Sequence, residues 1–341
     1  MPNEAGFRLV QDYTYVEVEK REEVEPSPFP VELRGADVVD EVQSVNRSSC
    51  EPVESLFARM GAKSQLRTWL VQNFPECHTY VEPFGGSFKV LLWKSRRARV
   101  EIINDVDADL VSFFQCVQSD PHRLVRVINA LPTHEAVVLG MRSHLANRDL
   151  QGVERAAAFY LASQSAFNAS GGYGSYASSP HVLLDLSIDL PRVLQVSKRL
   201  QGVDVRSTGF ERLIKATNKD LPPDKYPPGG VFFYLDPPYW NTTGYKTMQG
   251  ETSFEWQAQV RLSELCYEIH QTGNKFIQTN SDHPDLEKLY GGYGCFFMER
   301  VNVRYKVNTK SEKRDLTQEF VISNFPLNTQ RELNLKQKRL F

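Results

Sequence analysis

Residues 232–239 read Phe-Phe-Tyr-Leu-Asp-Pro-Pro-Tyr, an apolar run cut off by a carboxylate, two prolines and an aromatic. A run this short, bounded by breakers, fits a strand buried on both faces of a parallel sheet. Asp236, Pro237, Pro238 and Tyr239 then stand where the carboxyl end of that strand opens onto a crevice, the usual ligand position in open α/β sheets. Two successive prolines remove two N–H donors and hold φ near one value, so the turn is stiff. It presents a carboxylate and backbone carbonyls beside a flat ring. Such acceptors suit an exocyclic amine, and the ring suits stacking on the base that carries it. A Pro-Pro turn after a strand is also ordinary punctuation, and the motif alone leaves both readings open.

A second feature lies upstream. Residues 79–88, Thr-Tyr-Val-Glu-Pro-Phe-Gly-Gly-Ser-Phe, form a β-rich stretch closing on a glycine pair, followed by a helical pattern through Val90, Leu91 and Trp93. Glycines let the backbone approach a ligand closely, and the following helix start offers free N–H groups. About twenty residues on, a further apolar stretch (Val100, Ile102, Ile103) ends in Asn104-Asp105. An acidic residue at that offset suits a ribose hydroxyl pair. Phe88 follows Ser87 where a third glycine would complete a pyrophosphate fingerprint. The pattern therefore fits a nucleoside-type cofactor without a diphosphate, such as S-adenosylmethionine.

Two more segments complete a recognisable set: Arg59-Met-Gly-Ala-Lys63-Ser-Gln-Leu66 and Glu319-Phe-Val-Ile-Ser-Asn324. With Glu82-Pro83-Phe84-Gly85-Gly86, Asn104-Asp105-Val-Asp107 and Asp236-Pro237-Pro238-Tyr239, the chain resembles the Dam-like DNA adenine-N6 methyltransferases, in particular their phage and prophage branch. The motifs occur in the family's order over roughly residues 56–325. Residues 117–228 resemble the family loosely, and residues 1–50 not at all. The resemblance implies a doubly wound, Rossmann-like α/β methyltransferase sheet with a mostly helical target-recognition insert, S-adenosylmethionine as cofactor and double-stranded DNA as partner. It implies no metal, and a setting in the cytoplasm of a bacterial or phage-infected cell, where some relatives serve restriction–modification.

Residue by residue, the resemblance makes Asp236, Pro237, Pro238 and Tyr239 the catalytic grip on the target amine. Phe84, Gly85 and Gly86 would line the cofactor pocket, with Glu82 and Pro83 beside them. Asp105 would hold the ribose, Lys63 the methionyl end with Arg59 nearby, and Asp236 would border the cofactor. Phe167 and Asn168 match an aromatic–Asn pair that can wedge and read bases, and Tyr173 and Tyr176 could stack on them. A packed Phe before a turn Asn, and tyrosines packed within a Gly/Ser turn, fit the same residues. The chain departs from the family at three places. Arg59 and Met60 replace an aromatic. Gly209 replaces an acidic residue before the catalytic strand. Residues 160–180 contain no lysine or arginine. Cytosine-N4 methylation, served by the same amine grip, and a DNA-binding regulator with a degenerate cofactor site are the competing expectations.

Composition constrains this further. At 341 residues the chain is long enough for about two domains. No apolar stretch approaches the ~20 residues of a membrane span, and the N-terminus has no basic-then-apolar leader pattern. Five cysteines, odd in number and never spaced Cys-x-x-Cys, argue for a reducing compartment and against structural zinc. The net charge of −2 is unevenly divided. Residues 1–55 carry 13 acids and 5 bases, net −8; residues 56–341 carry 35 bases and 29 acids, net +6. A basic body suits phosphate, whereas the acidic head would compete with it.

The expected organisation is an acidic extension and linker (1–55), a catalytic domain (56–116 and 201–330), a target-recognition insert (117–200) forming a second lobe, and a basic tail (331–341). Within it, residues 1–24 alternate as an edge strand or hairpin would. Helices are expected near Leu66–Phe74, over 108–117, through 120–200 around the Gly/Ser/Tyr-rich stretch 168–176, and over 254–271. Strands are expected over 275–279 and 319–322.

Overall fold

The computed structural model describes residues 50–57, 66–132, 135–165, 186–241, 245–247, 250–252, 254–304 and 316–328. The expectations for the acidic head, Arg59, Lys63, Phe167, Asn168, Tyr173, Tyr176 and the basic tail all lie outside the described residues. The chain divides into two units, Met1–Asn46 and Arg47–Phe341, and the sheet and its flanking helices belong to the second.

The centre of that unit is a sheet of seven strands: β1 (Thr79–Glu82), β2 (Val100–Asn104), β3 (Val203–Arg206), β4 (Val231–Leu235), β7 (Lys275–Ser281), β8 (Phe297–Arg304) and β9 (Leu316–Ser323). The order across the sheet is β3-β2-β1-β4-β7-β9-β8. The first five run parallel, while β9 is antiparallel to both its neighbours. A small hairpin, β5 (Tyr245–Thr247) and β6 (Gly250–Thr252), stands apart from this sheet. From β1 the strand order runs outward one way through β2 and β3, and the other way from β4. The switch point therefore lies between β1 and β4, where ligands of such sheets bind.

The expected doubly wound α/β fold is present, and alternation along the strands explains its two cores. Tyr80, Tyr234, Ile277 and Val321 face one side, where they pack with α1 (Arg67–Gln72), α2 (Lys89–Trp93), α3 (Ala108–Ser119) and the helices next in sequence. Val81, Phe233, Leu235, Phe276 and Phe320 face the other, against α8 (Phe210–Thr217), α9 (Trp256–Gln271) and α10 (Pro284–Gly291). Both central strands, β1 and β4, are buried throughout; β4 accordingly reads as an unbroken apolar run, whereas β1 begins on Thr79 and ends on Glu82.

The helices expected through 120–200 are α4 (Pro121–Ala130), α5 (Glu135–Asn147), α6 (Gly152–Gln164) and α7 (Leu190–Leu200). Their starts reflect local chemistry. Asp107 caps α3 by accepting from the Asp109 and Leu110 amides, and Asp120 and Asp189 cap α4 and α7, each with a proline in the first turn. The described part of this region packs onto α3 with no break in the apolar core. Two ion pairs reinforce it: the half-buried Arg155 grips the buried Asp109 at 2.5 Å, and Arg199 meets Glu101 on β2, both buried, at 2.7 Å. Among the described residues no helix is long and apolar enough to cross a membrane.

Candidate active site

Three adjacent strands, β2, β1 and β4, end at the same edge, and their ends carry the described residues singled out in the sequence. The turn after β1 holds Pro83, Phe84, Gly85 and Gly86. Gly85 is irreplaceable on steric grounds: a Cβ there would lie 2.8 Å from Ile103 Cγ1 and 2.9 Å from both the Asn104 carbonyl oxygen and Phe88 Cε1. Its own N–H donates to that carbonyl at 2.7 Å. Gly86 has φ of +51° and open space where a side chain would stand, so the backbone here can meet a ligand directly. Phe88, in the place of the missing third glycine, is left-handed (φ +58°) all the same. Its buried ring stacks on Phe114 at 4.0 Å, which offsets the strain of that conformation.

Asp105, at the end of β2, accepts from the Gly86 N–H at 2.7 Å and from the Asp107 N–H at 2.9 Å. It therefore ties the glycine turn to the start of α3. The helix cap itself is Asp107. Asn104 adds a brace, donating to the Pro83 and Thr208 carbonyls and accepting from the Thr208 amide at 2.8 Å.

Glu82 closes β1. It is 2 % exposed and accepts from the Tyr80 hydroxyl at 2.9 Å. Burial pushes its carboxyl up to about 8; the Tyr80 bond opposes this, and the nearby charge of Asp236 adds to it. A buried acid of this kind, next to a second carboxylate, is poised to ionise when a cation arrives.

Asp236 to Tyr239 come directly after β4 and are held from three directions. Thr279 on β7 donates to Asp236 Oδ1 at 2.7 Å. Since that spends the one threonine proton, the Tyr234 hydroxyl 3.4 Å away is the donor to Thr279. Asn280 accepts from the Trp240 amide at 3.0 Å, and Ser281 donates to the Trp240 carbonyl at 2.7 Å. Gln259 on α9, itself bonded to Asn280, donates to the Pro238 carbonyl at 3.0 Å. Among the described residues the Pro237 carbonyl carries no hydrogen bond. Tyr239 donates through its hydroxyl to Glu319 on β9 at 2.7 Å.

Thr279, Asn280, Ser281, Gln259 and Glu319 were given no role in the sequence. A signal existed for the first three. An apolar strand that turns polar at Gln278-Thr-Asn-Ser281 has its last residues at the sheet edge, where ligands bind. Gln259 sits in a helix of ordinary pattern and carried no such mark, whereas Glu319 opens a segment that carries part of the family resemblance but was given no role of its own.

At the side of the glycine turn, Phe84 meets Phe210 at 5.3 Å and Phe254 at 5.6 Å, and these two meet each other at 5.4 Å. All three are half-buried. Gly209 caps α8 beside Phe210, with no atom within 4 Å of where a Cβ would be. The acidic residue expected there is absent, and an aromatic cluster stands next to the gap.

The sequence pattern of the D12 class N6 adenine-specific DNA methyltransferases matches residues 60–179 and 197–309 of this chain. The chain belongs to this family. Relatives extend the match. The DNA N-6-adenine-methyltransferase of Escherichia phage P1 is 27% identical over 289 residues, which span 79% of this chain and 35% of the phage protein. The chain thus corresponds to about a third of that relative's length. A type II methyltransferase, M.MjaIII, of Methanocaldococcus jannaschii is 25% identical, across 78% of this chain and 96% of its own length. Another type II methyltransferase, from Lactococcus lactis subsp. cremoris, is 24% identical, across 78% and 93%.

Proposed function

We propose that this chain transfers a methyl group from S-adenosylmethionine to N6 of an adenine turned out of double-stranded DNA, with Asp236 as the central catalytic group. The observation that carries the reading is the juxtaposition, at the switch point of the sheet, of an open glycine turn braced by Asp105 and a rigid Asp-Pro-Pro-Tyr turn whose Pro238 carbonyl is occupied.

The residues fit the cofactor. Gly86 offers backbone with empty space beside it, and Glu82 is a buried carboxyl that a cation would ionise. Asp105 has a carboxylate suited to ribose hydroxyls, and Phe84, Phe210 and Phe254 present an apolar surface for an adenine ring where the family's acidic residue is missing. Lys63 and Arg59 are assigned to the methionyl end by their place in the motif. When bound, the cofactor supplies an electrophilic methyl on a sulfonium, already a good leaving group.

The protein's task is then to make the amine nucleophilic and aim it. The lone pair of adenine N6 is delocalised into the ring. Asp236 and the Pro237 carbonyl accept its two N–H bonds, which draws the nitrogen towards a pyramidal shape and stabilises the positive charge that develops there. The stiffness of the double proline and its brace from β7 and α9 keep these acceptors in place without reorganisation. Stacking on Tyr239 holds the extruded base, a contact worth roughly 1–3 kcal/mol, against an extrusion cost of a few kcal/mol. Phe167, Asn168, Tyr173 and Tyr176 are assigned to DNA, in the cytoplasm of a bacterial or phage-infected cell.

Two measurements test this. Mass analysis of nucleosides from DNA treated with the protein and S-adenosylmethionine should give N6-methyladenine; N4-methylcytosine would overturn the choice of base. Calorimetry should detect cofactor binding, and no heat at millimolar cofactor would point to a DNA-binding protein with a degenerate site.

A further inference from the structure

We propose that Glu319 is a positioning residue that fixes where the Tyr239 ring stands by holding its hydroxyl. The inference rests on the reading of Tyr239 as the stacking platform for the extruded base.

The reason lies in the topology. β9 is the strand antiparallel to its neighbours, so its first residues, not its last, reach the edge where the parallel strands end. Glu319 is the cross-strand partner of Ser281 on β7, two residues beyond Thr279, which holds Asp236. Counting by two along each strand places Glu82, Asp236, Thr279 and Glu319 on one face of four adjacent strands, β1, β4, β7 and β9. The row thus ends in a carboxylate that belongs to no turn and no cofactor motif.

Glu319 is 2 % exposed, and its Oε2 accepts from Tyr239 at 2.7 Å. Burial first, then the charges of Asp236 and Glu319, push the Tyr239 hydroxyl well above its ordinary range, so it stays protonated and remains the donor. A phenylalanine would stack on a base as well as a tyrosine. Here the extra hydroxyl is bonded to the protein at the far end of the ring, on the axis of the ring's own rotation, where the bond fixes the direction in which the ring points rather than its turn about that axis. A hydrogen bond to an ionised acceptor is short and about twice as strong as a neutral one. It suits a ring that must keep one position before the base arrives. Stacking without this restraint would still occur, over a wider spread of ring positions.

The test uses full-length protein and a duplex carrying 2-aminopurine at the target adenine, located first by sequencing modified bases. The wild-type complex should show the emission rise of an extruded base, partly quenched by stacking on Tyr239. Tyr239→Phe and Glu319→Leu should both give brighter emission and a kcat/KM for DNA lower by roughly tenfold, the loss of one charged hydrogen bond. Cofactor affinity should be unchanged. Glu319→Gln, which keeps an acceptor, should restore most of the wild-type behaviour. The double variant Tyr239→Phe/Glu319→Leu removes both polar partners and should match Tyr239→Phe alone. Emission equal to wild type in Tyr239→Phe would overturn the proposal even if Glu319→Leu fails to fold, and so would a Glu319→Leu loss that persists undiminished in the Tyr239→Phe background. A wild-type complex with no emission rise would instead sink the base-extrusion reading beneath it.

Discussion

The two turns at the switch point hold their backbone still by opposite means. The turn after β1 relies on absence. Gly85 fits because Ile103, Phe88 and the Asn104 carbonyl leave no room for a side chain, and Gly86 adopts a left-handed conformation facing open space. Its braces, Asn104 and Asp105, come from the next strand, about twenty residues on. The turn after β4 relies on stiffness. Its prolines fix φ and carry no N–H groups, and its braces come from Gln259, Thr279, Asn280, Ser281 and Glu319, up to 80 residues downstream. On the proposed reading, the turn that admits the cofactor is made of small residues. On the same reading, the turn that aims two acceptors at one nitrogen is rigid and tied down.

The largest effect should come from the second turn. Asp236→Ala should lower single-turnover methyl transfer by at least ~100-fold, about 2.7 kcal/mol of barrier, if the carboxylate acts, as proposed, where charge develops on N6. A variant keeping more than about a tenth of the wild-type rate would remove Asp236 from the centre of the mechanism.

Next in size is Gly85→Ala. The new methyl meets a backbone oxygen that cannot swing away, so overpacking should cost about 1–3 kcal/mol. Thermal unfolding should register this as a clear drop in Tm in the absence of any ligand. An unchanged Tm would mean that the glycine turn is looser than its contacts imply.

A smaller effect separates the turns by pH. Burial holds the Glu82 carboxyl at about 8 in the folded chain, with Asp236 adding to the shift and Tyr80 and Arg199 opposing it. The folded state therefore keeps a proton that the unfolded state, with an ordinary carboxyl near ~4.3, has lost. Through this group, stability of the ligand-free protein falls as pH rises from roughly 4.3 to about 8. Cofactor binding runs the other way. A cation beside Glu82 favours the ionised form, so affinity should climb with pH, by up to ~10-fold per unit, and level off above about 8. Glu82→Gln should flatten the calorimetric affinity profile between about pH 6 and 9; a slope as steep as wild type would place the titrating group elsewhere.

The contrast between the turns also explains what could be read from the sequence. Glycine pairs, prolines and the acid at a fixed offset are local signals, so Gly85, Gly86, Asp105 and Asp236-Pro-Pro-Tyr239 were visible, and with them the parallel strands and the doubly wound sheet. The strand expected over 275–279 was visible as well, but its function lay in Thr279, Asn280 and Ser281, whose meaning depends on β7 lying next to β4. Glu319 depended on β9 running antiparallel, and pairing direction leaves no trace in a strand's own residues. Phe210 and Phe254 became a cluster with Phe84 only once α8 and the start of α9 were folded onto the same face. Substitution of Gly for the family's acidic residue at 209 was legible as a loss, whereas the aromatic cluster beside it was not.

The division of labour between the two turns is open to one paired measurement. For Asp105→Ala and Asp236→Ala, the cofactor dissociation constant is measured by calorimetry and the single-turnover methylation rate at saturating cofactor and DNA. Asp105→Ala should weaken cofactor binding while keeping most of the rate at saturation, as loss of uniform binding does. Asp236→Ala should do the reverse, binding the cofactor normally and failing in transfer. If both variants lose affinity and rate together, or if Asp105→Ala loses rate with its affinity intact, the glycine turn and the proline turn do not serve cofactor and amine separately, and the central claim is wrong.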